Sequence, residues 1–255
     1  PDALYVYFGT WDVLHGTGHN PPSRGSVRSH FASMQDGATW SKVQGVYEPG
    51  WWLWRVRYYD GVFYSGAYTA VRPVPPERET RLLKSSDGLE WTLVSTVTRE
   101  RMAGEADFWF DQEKRMWLLS RTGDEAGDAE LFHSDAALAE WEGQATGTLV
   151  HAPAVVEWKG RRFVAGRGKD GKEAVTRIWE LKGERLEQIM TLPSGGDTSY
   201  PGFVLDPSTE GGSTPSFFVS WYSQHEKGEP AKDPISGVKC DFASEYVARI
   251  TVSGT

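Results

Sequence analysis

With a single cysteine, Cys240, in 255 residues, the chain cannot form an internal disulfide, and its fold must be held by its core. No run of 18 apolar residues occurs, which excludes a membrane-spanning helix. No charged-then-apolar leader precedes Leu4, and the chain reads as soluble. Basic residues are in the minority: 27 Lys and Arg stand against 35 Asp and Glu, for a net charge of −8. That balance argues against nucleic acid or an anionic membrane surface as a partner, since either would want a basic face. Other absences narrow the chemistry. There is no β-α alternation, no Gly-rich phosphate loop after a strand and no Gly-x-Ser-x-Gly elbow, so neither a nucleotide cofactor nor a Ser-His-Asp hydrolase is expected. His15 and His19 have ligand-like spacing, but they lie on a Gly-rich segment without nearby Cys, so no metal site is expected. No cofactor of any kind is implied.

What the chain has in abundance is aromatic residues: 12 Trp, 10 Tyr and 11 Phe. Most must fill a core, and a surplus of Trp and Tyr would suit stacking on sugar rings. The organising stretch is Ser85-Ser86-Asp87-Gly88-Leu89-Glu90-Trp91. Asp-Gly is a strong hairpin turn: the carboxylate bonds N–H groups of its own turn and Gly accepts positive φ. The returning Trp is expected to pack under the loop. A second copy runs from Ser33 through Asp36-Gly37 to Trp40, and a worn third has Ser134-Asp135 followed by Trp141. The tryptophans fall at intervals of 51 and 50 residues. A period of that size with strands inside it is the signature of a β-propeller, one repeat per blade.

The expectation is an all-β, five-bladed β-propeller forming one domain over 1–255. Its blades span roughly 1–46, 47–99, 100–146, 147–193 and 194–255, and pairing of the N- and C-terminal strands closes the ring. Repeat two shows the pattern most clearly, with strands Trp51 to Tyr58, Val62 to Ala67, Arg81 to Lys84 and Thr92 to Thr96. The windows Ala136 to Trp141 and Arg78 to Leu83 have some helical character, the first amounting to a helical turn at most.

Loops from the start of each first strand and the end of each second strand converge on one channel mouth, where function should collect. The first-strand starts carry Arg55, Glu105, Pro153 and Tyr200. Asp12, Tyr68, Arg121, Arg167, and Tyr222 with His225 follow the second strands. His151 opens repeat four and is a further candidate to face the channel. Glu105, beside Asp107, reads either as a solvated turn or as a site residue ahead of the apolar Phe108-Trp109-Phe110. The most distinctive loop is Pro193-Ser194-Gly195-Gly196-Asp197-Thr198-Ser199-Tyr200-Pro201. The expectation is one pocket holding Glu105, Tyr200, Arg55, Arg121 and Arg167.

The Ser-x-Asp-Gly-x-x-Trp turns resemble the Asp-boxes of the sialidase-like propeller superfamily. That resemblance implies a glycoside hydrolase, exo-acting on an acidic or decorated sugar. It also implies that Arg55, Arg121 and Arg167 form an arginine triad, with Tyr200 the nucleophile, Glu105 its partner and Asp12 the acid. A neutral Tyr beside a base can attack a centre that already bears negative charge, and guanidinium forks suit a planar carboxylate. The chain departs from the family in lacking a Tyr/Phe-Arg-Ile-Pro segment and in being one blade short of six. A second resemblance, to five-bladed arabinanase-like glycosidases, would make Asp12, Glu105 and Asp197 the three acids of a carboxylate mechanism. Tyr68, His151, Tyr222 and His225 would then contact substrate. A non-catalytic carbohydrate-binding propeller is the third reading. Lectin-like propellers repeat their binding residues, whereas the residues here differ from blade to blade, which favours one site. A sugar-degrading role would fit a secreted or periplasmic location.

Overall fold

The computed structural model describes residues 3–11, 27–70, 79–99, 104–122, 127–209, 211–226, 231–232, 239–240 and 243–252. The fold is all-β, with five small sheets as the blades of a β-propeller. The first sheet holds β1 (Leu4–Trp11), β2 (Val27–Met34) and β3 (Gln44–Val46). The second holds β4 (Trp51–Tyr59), β5 (Val62–Thr69), β6 (Thr80–Ser85) and β7 (Thr92–Thr98). The third is built from β8 (Ala106–Phe110), β9 (Met116–Ser120), β10 (Glu130–Ser134) and β11 (Trp141–Ala145). The fourth comprises β12 (His151–Trp158), β13 (Arg161–Asp170), β14 (Glu173–Lys182) and β15 (Arg185–Thr191). The fifth contains β16 (Thr198–Leu205) and β17 (Ser216–Ser223). After a two-stranded ladder of β18 (Ala231–Lys232) and β19 (Lys239–Cys240), β20 (Ser244–Thr251) completes it.

The fold class expected from the sequence is therefore the one observed, with one difference in pairing. β20 lies against the whole of β17, from Ser223↔Ser244 to Ser216↔Thr251. It belongs to the last sheet, while β1 pairs with β2 in the first. The alternation in β20 explains this: Ile250 is opposite Phe217, and both are buried in the core of the fifth sheet. The window around Arg78 to Leu83 is strand from Thr80 onward, and Ala136 to Glu140 is a turn. A short 3-10 turn at Pro207–Thr209 had no distinctive sequence signal.

Packing divides the chain into two compact units: residues 1–118, 122–125 and 132–143, and residues 119–121, 126–131 and 144–255. In the first, Leu82 and Leu83 are both fully buried yet belong to different clusters. Successive strand residues point to opposite faces, so Leu83 joins Phe31, Trp51, Phe63 and Trp91, while Leu82 joins Phe108, Met116, Leu118 and Phe132. In the second unit, Phe163 and Phe217 are fully buried with ring centroids 4.7 Å apart, inside a cluster with Trp158, Ile178, Phe203 and Trp221.

In all three turns the Asp carboxylate accepts from backbone N–H groups of its own turn, but the anchors differ. Asp87 Oδ1 accepts from the N–H of Leu89 (2.8 Å) and Glu90 (2.9 Å), and Ser85 Oγ accepts from Gly88 N (2.8 Å). Trp91 is 8% exposed and donates to the Gly88 carbonyl. Gly88 has φ 81°, and a Cβ there would stand 2.5 Å from the Tyr7 hydroxyl. Asp36 likewise accepts from Ala38 and Thr39, which hold its carboxyl low. Trp40, however, is 46% exposed and does not pack under its loop. Asp135 accepts from Ala139 and Glu140, Leu138 takes the positive φ, and Trp141 donates to Ser95 Oγ.

Candidate functional site

The inner hairpins of the second, fourth and fifth sheets carry the same irregularity. In each, three steps along the first strand match two along its partner, between Leu53 and Val56, His151 and Ala154, and Ser199 and Gly202. Each is a bulge of one extra residue, a device that re-aims side chains. The bulged pairs are Trp54-Arg55, Ala152-Pro153 and Tyr200-Pro201, three of the four strand starts singled out from the sequence.

In the second unit the bulge of β16 sits beside an open polar network. Arg167, opposite His151 on the neighbouring sheet, donates from Nε to the Thr198 carbonyl (2.7 Å). Its Nη2 donates to Asp197 Oδ1 (2.7 Å) and to the Tyr222 hydroxyl (2.8 Å), and Tyr222 in turn donates to Asp197 Oδ1 (3.0 Å). The Asp197 side chain is 57% exposed. Burial pushes the Tyr222 phenol up, Arg167 opposes, and the bond to Asp197 adds to the rise, so the phenol keeps its proton and serves as a donor. The Tyr200 ring is 5.7 Å from that of Tyr222 and 5.6 Å from Arg167 Cζ.

The loop before β16 is what places Asp197. Gly196 takes φ 61°, and a Cβ there would collide with Gln224 Oε1, the atom that accepts from Asp197 N (2.7 Å). A Cβ at Gly195 would stand 3.2 Å from His225, whose Nδ1 is 2.9 Å from Ser223 Oγ and whose ring packs at 4.7 Å on Tyr246. His225 thus supports the loop. His151 is 5% exposed, and its Nε2 has no hydrogen-bond partner among the described residues. Burial, then the charges of Arg121, Arg167 and Lys169, push its pKa down to about 4.

In the first unit, Arg55 and Glu105 belong to a closed cluster. Arg57 holds Asp107 with a two-bond fork, Nε to Oδ1 at 2.6 Å, and Arg55 Nε lies 3.9 Å from Asp107 Oδ2. Asp107 is wholly buried and Glu105 is 5% exposed, so the solvated-turn reading of that pair does not hold. Burial lowers the Arg55 pKa, against which Asp107 and Glu105 act. Arg57 was not singled out from the sequence. The signal was there, since Arg55-x-Arg57 places both guanidiniums on one strand face. Tyr68 lies against Trp54, with centroids 6.3 Å apart. Asp12, His15 and His19 lie outside the described residues.

A cavity of about 490 Å³ in the second unit is lined by Gln144 to Thr148 and Glu184 to Leu186. It contains none of the residues singled out from the sequence, and its single carboxylate, Glu184, has no second acid to work with. Among the described residues no cluster of His, Cys, Asp and Glu could hold a metal ion.

No family model matches the chain, and no curated protein matches its sequence. Solved structures do. A protein of unknown function from Dyadobacter fermentans matches at TM-score 0.69 and 16% identity, over 96% of this chain and 72% of its own. An exo-β-1,3-galactanase from Clostridium thermocellum matches at TM-score 0.60 and 12% identity, over 98% and 57%. Solved glycosidases thus share its β-propeller fold. An endosialidase of phage phi92 shares it at TM-score 0.58 and 12% identity, over 90% of this chain and 41% of its own. The chain thus spans little more than half of the galactanase and less than half of the endosialidase. At these identities the likeness concerns the fold alone.

Proposed function

We propose that the chain is a glycoside hydrolase, exo-acting on an acidic or decorated sugar, with Asp197 as a reactive carboxylate. The observation that carries this reading is the triangle of Arg167, Asp197 and Tyr222. It pairs an open carboxylate with a guanidinium and a protonated phenol, and none of the three is sealed from solvent. A carboxylate held in this way suits a base, a nucleophile or a stabiliser of the oxocarbenium-like transition state of glycoside cleavage. Arg121, Arg167 and Lys169, the cations bearing on His151, favour a substrate with negative charge.

A tyrosine nucleophile is the less favoured mechanism. Tyr222 donates to the Asp197 carboxylate, and burial holds its proton on. Arg167 already donates to Thr198, Asp197 and Tyr222, which uses most of the fork that an arginine triad would offer a substrate carboxylate.

A panel of aryl glycosides and acidic oligosaccharides tests the proposal. Asp197→Asn should lower turnover by about 10²–10⁴-fold, as expected when an acid-base group is lost, with saccharide binding retained. Wild-type protein that binds saccharide without cleaving it would make this a carbohydrate-binding propeller.

A further inference from the structure

We propose that Tyr200 is a stacking platform for a sugar ring beside Asp197, on a bulge that the preceding sheet builds without any aromatic residue. The inference rests on the glycosidase reading for its ligand class and replaces the nucleophile role implied for Tyr200 by the sialidase resemblance.

The register supplies the comparison. His151 and Ser199 are equivalent positions, each the last paired residue before its bulge, so Ala152 corresponds to Tyr200 and Pro153 to Pro201. Both leading bulge residues adopt left-handed backbone, Ala152 at φ 50° and Tyr200 at φ 47°, and Ser199 is also positive at φ 117°. Each precedes a proline, which narrows the choices of backbone further. In the fourth sheet the position is filled by a small side chain that is 1% exposed. The bulge therefore does not require a ring. In the fifth sheet the same strained position carries a tyrosine that is 48% exposed.

A bulky residue at positive φ is an outlier that persists where the surroundings over-determine it, and such outliers cluster at ligand sites. The Thr198 carbonyl, two residues before Tyr200, is fixed by Arg167 Nε, and the Tyr200 ring lies next to Arg167 and Tyr222. The result is a flat, amphipathic surface beside the open Asp197 carboxylate. A tyrosine offers an apolar face with a polar edge, which matches a saccharide ring with its C–H face and hydroxyl rim.

Isothermal titration with galactobiose, xylobiose, arabinobiose and sialyllactose, together with turnover of the same sugars, tests the platform. For whichever sugar wild type binds, Tyr200→Phe should bind within about twofold of wild type and keep turnover. Tyr200→Ala should weaken binding on the order of tenfold, the scale of one aromatic contact. Should the alanine variant fail to fold, Tyr200→Asn carries the same expectation, because Asn tolerates left-handed backbone. Unchanged affinity in Tyr200→Ala or Tyr200→Asn overturns the platform. So does Tyr200→Phe that binds normally but has lost turnover, which would restore the nucleophile. Wild type that binds one of these sugars tightly without cleaving it, with Tyr200→Ala weakened, overturns the hydrolase reading and leaves the platform standing. Wild type that binds none of them overturns the platform.

Discussion

Two clusters in this molecule use the same residue types and end in opposite states. Around Asp107, Arg57 contributes both bonds of its fork to a carboxylate with no solvent exposure, and Arg55 approaches as well. Around Asp197, a single Arg167 nitrogen is shared between a carboxylate that is 57% exposed and a tyrosine hydroxyl. A buried acid with its counter-charge in place is committed to the fold: removing one partner strands the other without solvent. An exposed acid held by a shared contact contributes little to folding and keeps oxygen lone pairs for a ligand. Residue type does not separate structure from function here. Burial does.

The largest expected effect follows from that contrast. Asp107→Ala should lower unfolding free energy by about 3–5 kcal/mol, whereas Asp197→Ala should cost less than about 1 kcal/mol, both measured by urea denaturation. Equal losses at the two positions would erase the distinction.

The hairpin turns draw the same open and closed contrast in apolar terms. Trp91 is buried beneath its turn and Trp40 is not, although both follow an Asp-Gly pair. Trp91→Ala is expected to cost about 3–5 kcal/mol, and Trp40→Ala less than about 1 kcal/mol. Thermal melts of the two variants would show the difference directly.

A smaller, pH-dependent effect would sharpen the comparison from the second unit. His151 is neutral in the fold down to about pH 4, whereas an unfolded histidine takes up its proton near 6.5. The unfolded state therefore binds more protons between those values. Above pH 6.5 the residue adds nothing to the pH dependence; stability falls as pH drops from 6.5 toward 4 and levels below that. His151→Phe should flatten this window in melts recorded across it.

Much of the architecture was legible because it rests on short-range signals. Asp-Gly turns, a tryptophan at intervals near 50 residues and short apolar runs such as Leu82-Leu83 located strands and sheets. The strand starts were legible for the same reason, and Trp54-Arg55, Pro153 and Tyr200 prove to sit on bulges. What escaped was long-range pairing. That β20 completes the last sheet depends on Ile250 meeting Phe217, more than 30 residues away. That the Tyr222 hydroxyl donates to Asp197 depends on the pairing of β16 with β17, and the positive φ at Ser199 and Tyr200 is announced by no local pattern of non-glycine residues. Likewise, the sequence marked Arg55 and Glu105 as polar residues near a strand start, but only burial showed them committed to Asp107 and its surroundings.

Whether sugar chemistry belongs to the open Asp197 network can be seen in a crystal of the full chain soaked with a protonated iminosugar. The account predicts electron density with the sugar ring against Tyr200 and the ring nitrogen at the Asp197 carboxylate, lost in Asp197→Asn. Density confined to the cavity between Gln144 to Thr148 and Glu184 to Leu186, or a site unchanged by Asp197→Asn, would contradict it.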